Sequence, residues 1–280
     1  MRYYKIKSYA KVNISLKVLR KLKSNFHKIE SLVSFINLYD EIFIKKTNKK
    51  NHKIKFYGKF SKGISKNNTI SLLLKIIEKK LNGQKYLIKI NKKIPQKSGL
   101  GGGSMNASSL LKFLIKSQKL NLSSKEIGKI SSKIGSDVII GMQSKTSILY
   151  GNGNLKNIKQ NINLYTLLVR PNFGCSTKDI YKNVKIFSKA IFKFNKSIVI
   201  NYKFLSYLVN DLEEPAFKKY AILKKIKIFM EKLDKILFVN MTGSGSTIVG
   251  YFISKKATLN AIKILKKKYK NYWCISSRTI

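Results

Sequence analysis

Residues 95–104 read Pro95-Gln-Lys-Ser-Gly-Leu-Gly-Gly-Gly-Ser104, and the rest of the chain is best understood outward from them. Upstream, residues 87–90 have the apolar make-up of a strand. Downstream, Ala107, Leu110, Leu111, Leu114 and Ile115 recur at i, i+3, i+4, i+7 and i+8, which predicts one face of a helix. A glycine-rich turn between strand and helix, with Ser104 placed to cap the helix, aims backbone N–H groups into a concavity at the positive end of the helix dipole. Phosphate oxygens suit such a place. Gly99, Gly101, Gly102 and Gly103 omit the Cβ atoms that would bar a ligand from the backbone and forbid positive φ. The loop is neither a Walker A sequence, which needs Gly-Lys-Ser/Thr, nor a spaced dinucleotide fingerprint. A flexible turn is the plain alternative.

Further out, short β-branched and aromatic runs predict strands over 12–19, 31–38, 42–46 and 54–57. Asn67-Asn68-Thr69 supplies a cap for a helix whose Ile70, Leu73, Leu74 and Ile77 share a face. A further helix is expected over 123–133, ending at Gly135. Strands over 146–150, 165–169, 236–240 and 247–252 then alternate with helices over 217–234 and 256–269. The pattern is α+β in two lobes, with the boundary in the polar stretch 151–163, dividing the chain into 1–155 and 156–280.

Composition bounds the function. The chain has 280 residues, 44% of them apolar, enough for a sizeable core, and 58 Lys+Arg against 12 Asp+Glu give a formal charge of +46. Such an excess raises nucleic-acid binding as a reading. Its make-up argues against it: only Arg2, Arg20, Arg170 and Arg278 are arginines, the side chain favoured for bidentate phosphate and guanine contacts, and the lysines run the whole length beside Ile and Asn. Two cysteines, Cys175 and Cys274, and two histidines, His27 and His52, exclude a disulfide framework and a soft-ligand zinc site. No targeting or membrane-spanning run is evident, so a cytoplasmic protein is expected. With acids so scarce, each one calls for a reason. Asp137 follows a helix-ending Gly-Ser, as a carboxylate that accepts a proton from an alcohol could, or as a loop Asp capping nearby N–H groups.

Other segments extend the pattern in chain order: Tyr9-Ala10-Lys11-Val12-Asn13, Asn25-Phe26-His27, Gly135-Ser136-Asp137-Val138, Gly174-Cys175-Ser176-Thr177, Asn210-Asp211-Leu212-Glu213 and Met241-Thr242-Gly243-Ser244-Gly245. With the glycine-rich loop, they make the chain resemble the GHMP superfamily of small-molecule kinases from residue 9 to about 252, nearly its whole length. The resemblance implies a two-lobed fold, with an N-terminal lobe like ribosomal protein S5 and a C-terminal ferredoxin-like lobe. Within the superfamily it points to the branch that phosphorylates the 2-hydroxyl of a cytidine diphosphate-linked methylerythritol, on the non-mevalonate route to isoprenoids.

On that resemblance, Asp137 is the catalytic base and Lys11 the lysine that binds the reacting hydroxyl. ATP and Mg²⁺ are implied, the nucleotide held by Pro95, Gly99, Leu100, Gly101, Gly102, Gly103, Ser104 and Asn106. Asn13, Phe26, His27, Thr177, Tyr181, Gly243 and Ser244 are implied on the substrate side: His27 at the cytosine edge, Phe26 and Tyr181 on its faces. No protein side chain is assigned as a metal ligand, and small-molecule substrates are expected, with no nucleic-acid or membrane partner, in a monomer or weak homodimer. The chain departs from the pattern at Tyr9 for Pro, at Met105-Asn106 for Ser-Asp, at Val138-Ile139-Ile140-Gly141 for Val-Pro-Phe-Phe, and at Gly151-Asn152-Gly153-Asn154 for Gly-Arg-Gly-Glu. A kinase for another small alcohol, such as homoserine or mevalonate, and a basic nucleic-acid-binding protein are the alternatives.

Overall fold

The computed structural model describes residues 2–23, 26–151, 153–160, 162–193 and 200–280; Asn25 and Asn152, each part of a motif quoted above, lie outside them. Contacts gather the chain into two compact units built from interleaved segments. Met1–Ala10, Leu38–Gln96 and Gly101–Ser144 form the first, and Lys11–Asn37, Lys97–Leu100 and Lys145–Ile280 the second. Strands β1 (Tyr4–Asn13) and β3 (His27–Thr47) contribute residues to both.

In the first unit, the C-terminal part of β3 pairs antiparallel with β5 (Lys85–Asn91), and β5 pairs parallel with β4 (Lys53–Tyr57). β3 joins two runs that read as separate strands. Asp40, the residue between them that could have started a turn, uses its carboxylate elsewhere: it accepts the N–H groups of Lys93 (2.7 Å) and Ile94 (2.9 Å) and pairs with buried Lys92. Helix α1 (Thr69–Ile77) starts with a capping box in which Asn68 accepts from Ser71 N–H and Ser71 Oγ accepts from Asn68 N–H. Its Ile70, Leu73, Leu74 and Ile77 are buried, as their spacing predicts.

Helix α2 (Gly102–Ser117) begins three residues earlier than a Ser104 cap would require, and no side chain caps it. The chain turns into it through Gly101 at φ +68°, whose carbonyl already accepts Met105 N–H at 2.9 Å, so Ser104 is the third helical residue. α3 (Ser124–Ile134) carries a Ser123–Glu126 capping box, and α4 (Val138–Gln143) follows directly after Asp137. Leu73, Ile77, Leu110, Leu111 and Leu114 form one core with Ile42, Ile44, Ile88 and Ile90. Each such fully buried side chain contributes about 1.5–3 kcal/mol relative to exposure.

In the second unit, β2 (Lys17–Lys21) and β6 (Ser147–Leu149) pair antiparallel with the N-terminal part of β3, and β7 (Leu155–Asn157) pairs with β6. The run expected as one strand over 12–19 is split between β1 and β2. The rest of the unit comprises β8 (Tyr165–Arg170), α5 (Thr177–Lys182), α6 (Tyr202–Ser206), α7 (Glu213–Lys219), α8 (Ala221–Glu231), β9 (Phe238–Met241), β10 (Ile248–Phe252), α9 (Lys255–Lys268) and β11 (Trp273–Arg278). Its four strands form an antiparallel sheet in the order β11-β8-β10-β9. Helices follow the first and third strands, which is the ferredoxin-like arrangement. Leu167 and Val169 of β8, two apart and on one face, share a core with Leu223, Ile226 and Met230 of α8 and with Ala261 and Leu265 of α9. The helix expected over 217–234 is two helices. Tyr220 leaves the helical backbone at φ −131°, ψ 77°, and its ring stacks on Phe173 at 5.0 Å. Among the described residues no helix is long and apolar enough to cross a membrane.

Candidate active site

In the second unit, residues 97–100 are tied by backbone hydrogen bonds to three other segments. Cys175 N–H donates to Lys97 O (3.3 Å), Thr247 N–H to Ser98 O (3.3 Å) and Lys11 N–H to Leu100 O (3.1 Å). Gly99 turns at φ +77°, and Thr242 Oγ1 donates to its carbonyl at 3.2 Å. The same hydroxyl accepts Asn13 N–H at 3.0 Å. Leu100 is fully buried, so it offers a ligand its backbone rather than its side chain.

Lys11 and Asn13, at the end of β1, follow from this knot. Lys11 is 3% exposed, which excludes a solvated surface lysine, and its Nζ donates to Asn13 Oδ1 at 2.5 Å. Asn13 Nδ2 in turn donates to Ser31 Oγ at 2.7 Å, which fixes the amide with its oxygen toward the ammonium. Thr177, first residue of α5, shares a hydrogen bond with Ser244 at 2.9 Å. The structure thus brings Lys11, Asn13, Gly99, Leu100, Thr177, Gly243 and Ser244 into one connected cluster.

Three braces around that cluster carried no assigned role in the sequence. Asn210 Nδ2 donates to Met241 O (2.6 Å) and Gly243 O (2.8 Å). Glu213 accepts Met241 N–H (2.7 Å) and pairs with Lys227 (2.5 Å), while Asp211 accepts Val18 N–H (2.8 Å). Asn210 and Glu213 of the Asn-Asp-Leu-Glu motif therefore clamp the turn that begins at Met241, and Asp211 ties the motif to β2. The scarcity of acids was the available signal for it.

His27, at the start of β3, has its ring centroid 5.1 Å from that of Tyr181, one helical turn beyond Thr177, and 6.4 Å from that of Phe187. Burial, with Lys21 nearby, pushes its imidazole below the usual value, so it is neutral at pH 7. Phe26 is 73% exposed.

The first unit holds the remaining predicted residues. Pro95 is buried, and Gly101, Gly102, Gly103 and Ser104 form the turn and first residues of α2, a 16-residue helix. A Cβ on Gly102 would lie 3.0 Å from Ile94 Cγ2 and 3.4 Å from Lys92 Nζ, so the glycine lets a side chain and an ammonium group approach the start of α2 closely. That ammonium and its partner Asp40 are buried, and neither was singled out in the sequence. Asn106 is 2% exposed and its Oδ1 has no hydrogen-bond partner. An orphaned carboxamide oxygen one turn into this helix fits an Mg²⁺-nucleotide better than it fits a packed core. Among the described residues no three His, Cys, Asp or Glu side chains gather as a metal site.

A Cβ on Gly135 would lie 3.5 Å from Ser104 Oγ, so the turn leading to Asp137 abuts the glycine loop. Asp137 is partly exposed and precedes α4 without capping it. Asp137 in the first unit offers a partly exposed carboxylate, and Lys11 in the second a buried ammonium.

The family described as GHMP kinases N terminal domain matches residues 68–151. A Pelagibacter ubique protein named 4-diphosphocytidyl-2-C-methyl-D-erythritol kinase is 52% identical over 100% of both chains. The chain belongs to this GHMP kinase family. A Clostridium perfringens protein of the same name is 32% identical over 99% of this chain and 98% of its own. Among solved structures, a 4-(cytidine 5'-diphospho)-2C-methyl-D-erythritol kinase superposes with a TM-score of 0.80 at 21% identity, covering 99% of this chain and 100% of that one. A homoserine kinase from Cytophaga hutchinsonii reaches 0.69 at 17% identity, covering 100% of this chain and 95% of that one. At those identities the likeness shows that GHMP kinases of different substrates share one fold, so the choice of substrate has to be argued from side chains.

Proposed function

We infer that the protein is an ATP-dependent kinase that phosphorylates the 2-hydroxyl of 4-diphosphocytidyl-2-C-methyl-D-erythritol, on the non-mevalonate route to isoprenoid precursors. The observation that carries this reading is the 52% identity over the full length of the Pelagibacter ubique kinase. Lys11, Asp137 and His27 fit roles in it. Asp137 accepts the proton of the attacking hydroxyl. Lys11, oriented by Asn13, donates a hydrogen bond to the same oxygen and offsets its developing charge. Backbone N–H groups of Gly101, Gly102, Gly103 and Ser104 hold phosphate oxygens at the start of α2. Bound ATP, with Mg²⁺, supplies the phosphoryl group, and the unpartnered Asn106 Oδ1 would be available to hold that ion. Phe26 and Tyr181 flank the cytosine ring, with His27 at its edge. Thr177 and Ser244, joined through their hydroxyls, line the substrate side with Gly243. The finer readings held with it are a cytoplasmic protein, monomeric or weakly dimeric.

Coupled ADP release separates this from its rivals. Turnover with the cytidine diphosphate substrate and none with homoserine or mevalonate is the expected result; the reverse overturns it. The nucleic-acid reading instead requires tight, strongly salt-dependent binding in a mobility shift and no ATP turnover.

The neutral state of His27 gives a second expectation. The KM for the cytidine substrate should be flat from pH 8 to about 6.5, the ordinary value for histidine, and rise only below it as the imidazole takes up a proton. The KM for ATP should not follow. A cytidine KM that rises already between pH 8 and 7 would contradict the neutral assignment.

A further inference from the structure

We propose that Phe187 is a specificity-determining residue of the nucleotide-substrate site, forming with Tyr181 an aromatic wall around His27 against which the pyrimidine ring lies. The proposal rests on the cytidine reading above and adds a residue that no sequence motif marked.

Phe187 lies in an irregular stretch after α5, where a loop aromatic would ordinarily be incidental. This stretch is fastened on both sides of the ring. Val184 N–H donates to Tyr181 O (3.2 Å) and Ser188 N–H to Val18 O (2.8 Å). Beyond it, Glu30 accepts the N–H groups of Ile191 (2.7 Å) and Phe192 (3.2 Å). Glu30 is 1% exposed. Burying one of only 12 acids to hold a loop that has no strand or helix of its own is explained if the loop carries a group that must stay in place.

The group so placed is the Phe187 ring, its centroid 6.4 Å from that of His27 with a 33° tilt, matching the 33° tilt of Tyr181 on the same imidazole. Core packing does not account for it, because Phe187 remains 44% exposed above a fixed backbone. A flat apolar face beside a neutral imidazole suits a pyrimidine base. The ring offers stacking area, and two aromatic neighbours keep competing water from the histidine. A neutral imidazole has one donor and one acceptor nitrogen, and the edge of cytosine has both complements.

The test is steady-state kinetics of full-length Phe187→Ala and Phe187→Leu enzymes with ATP and the cytidine diphosphate substrate. Loss of a base-stacking ring should raise the KM for the cytidine substrate by about 5- to 100-fold, with kcat and the KM for ATP within about threefold of wild type. Phe187→Tyr, which keeps the ring, should restore the wild-type value. Phe187→Leu keeps apolar bulk, so if the alanine enzyme melts early the leucine enzyme carries the test. A cytidine-substrate KM within twofold of wild type in the leucine enzyme overturns the proposal, as does a parallel loss in kcat and both KM values. If wild-type enzyme turns over the substrate and these variants match it, this inference alone falls. If wild-type enzyme does not turn it over, the functional reading falls and this one with it.

Discussion

Asp137→Asn is expected to lower kcat by about 10²-fold or more while leaving both KM values within a few-fold of wild type. The amide has the size and shape of the carboxylate but cannot accept the proton of the attacking hydroxyl, and general-base assistance is worth about 10²–10⁴ in rate. Binding is spared because neither the α2 phosphate loop nor the His27 region changes. Folding is spared as well, since Asp137 does not cap α4 and is partly exposed. A melting temperature within a few degrees of wild type therefore belongs to the same expectation. It separates a lost base from a damaged fold. Single-turnover measurements with saturating substrates are the direct check, and an Asp137→Asn enzyme with kcat within threefold of wild type would remove Asp137 from the role.

What the sequence revealed and what it hid divide along a physical line. Periodic signals were legible wherever a segment was long and half-buried. The buried face of α1 follows the spacing of Ile70, Leu73, Leu74 and Ile77, and the Asn68 and Ser123 caps are where capping chemistry puts them. Short or mixed elements were not. α4 has six residues, too few to show a helical period, and β11 reads Trp-Cys-Ile-Ser-Ser-Arg, with no clean alternation, because only its pairing with β8 makes it a strand. The long β3 was hidden for a related reason: the Asp40 carboxylate that should have turned the chain is engaged by N–H groups more than fifty residues away.

The candidate site shows the same division. Gly99, Lys11 and Asp137 stand out because motif residues are contiguous in sequence. Glu30 and Phe187 belong to no motif, and Asn210 and Glu213, though in one, act through partners about thirty residues away, which sequence spacing does not disclose. The abundance of lysine obscured one residue in particular. Lys92 is anonymous among so many, yet it is buried against Asp40 and packs closely beside Gly102 at the start of α2.

The largest combined effect on stability and activity is expected at Gly99. Its φ of +77° already costs a residue with a Cβ about 1 kcal/mol or more. Steric overlap adds to this: a Cβ there would fall well inside contact distance of the Thr242 carbonyl oxygen and 2.9 Å from its carbon, both backbone atoms that cannot rotate away. Thr242 cannot yield cheaply, because its N–H donates to Thr247 O (3.0 Å) and its hydroxyl accepts from Asn13 N–H (3.0 Å). Gly99→Ala must therefore shift the 97–100 turn, and with it the bond from Lys11 N–H to Leu100 O. Misplacing a catalytic group by about 1 Å can cost about 10²-fold in rate, so kcat/KM should fall by at least that much. Strain and overlap together should remove about 3 kcal/mol, lowering the melting temperature by about 6–12 °C. Gly63→Ala is the control. Its φ is nearly the same, +79°, but a Cβ there meets nothing within 4 Å. That variant should show only the conformational cost, a shift of a few degrees with kcat/KM unchanged, and equal losses at the two glycines would mean that left-handed backbone, and not the Thr242 contact, sets the requirement.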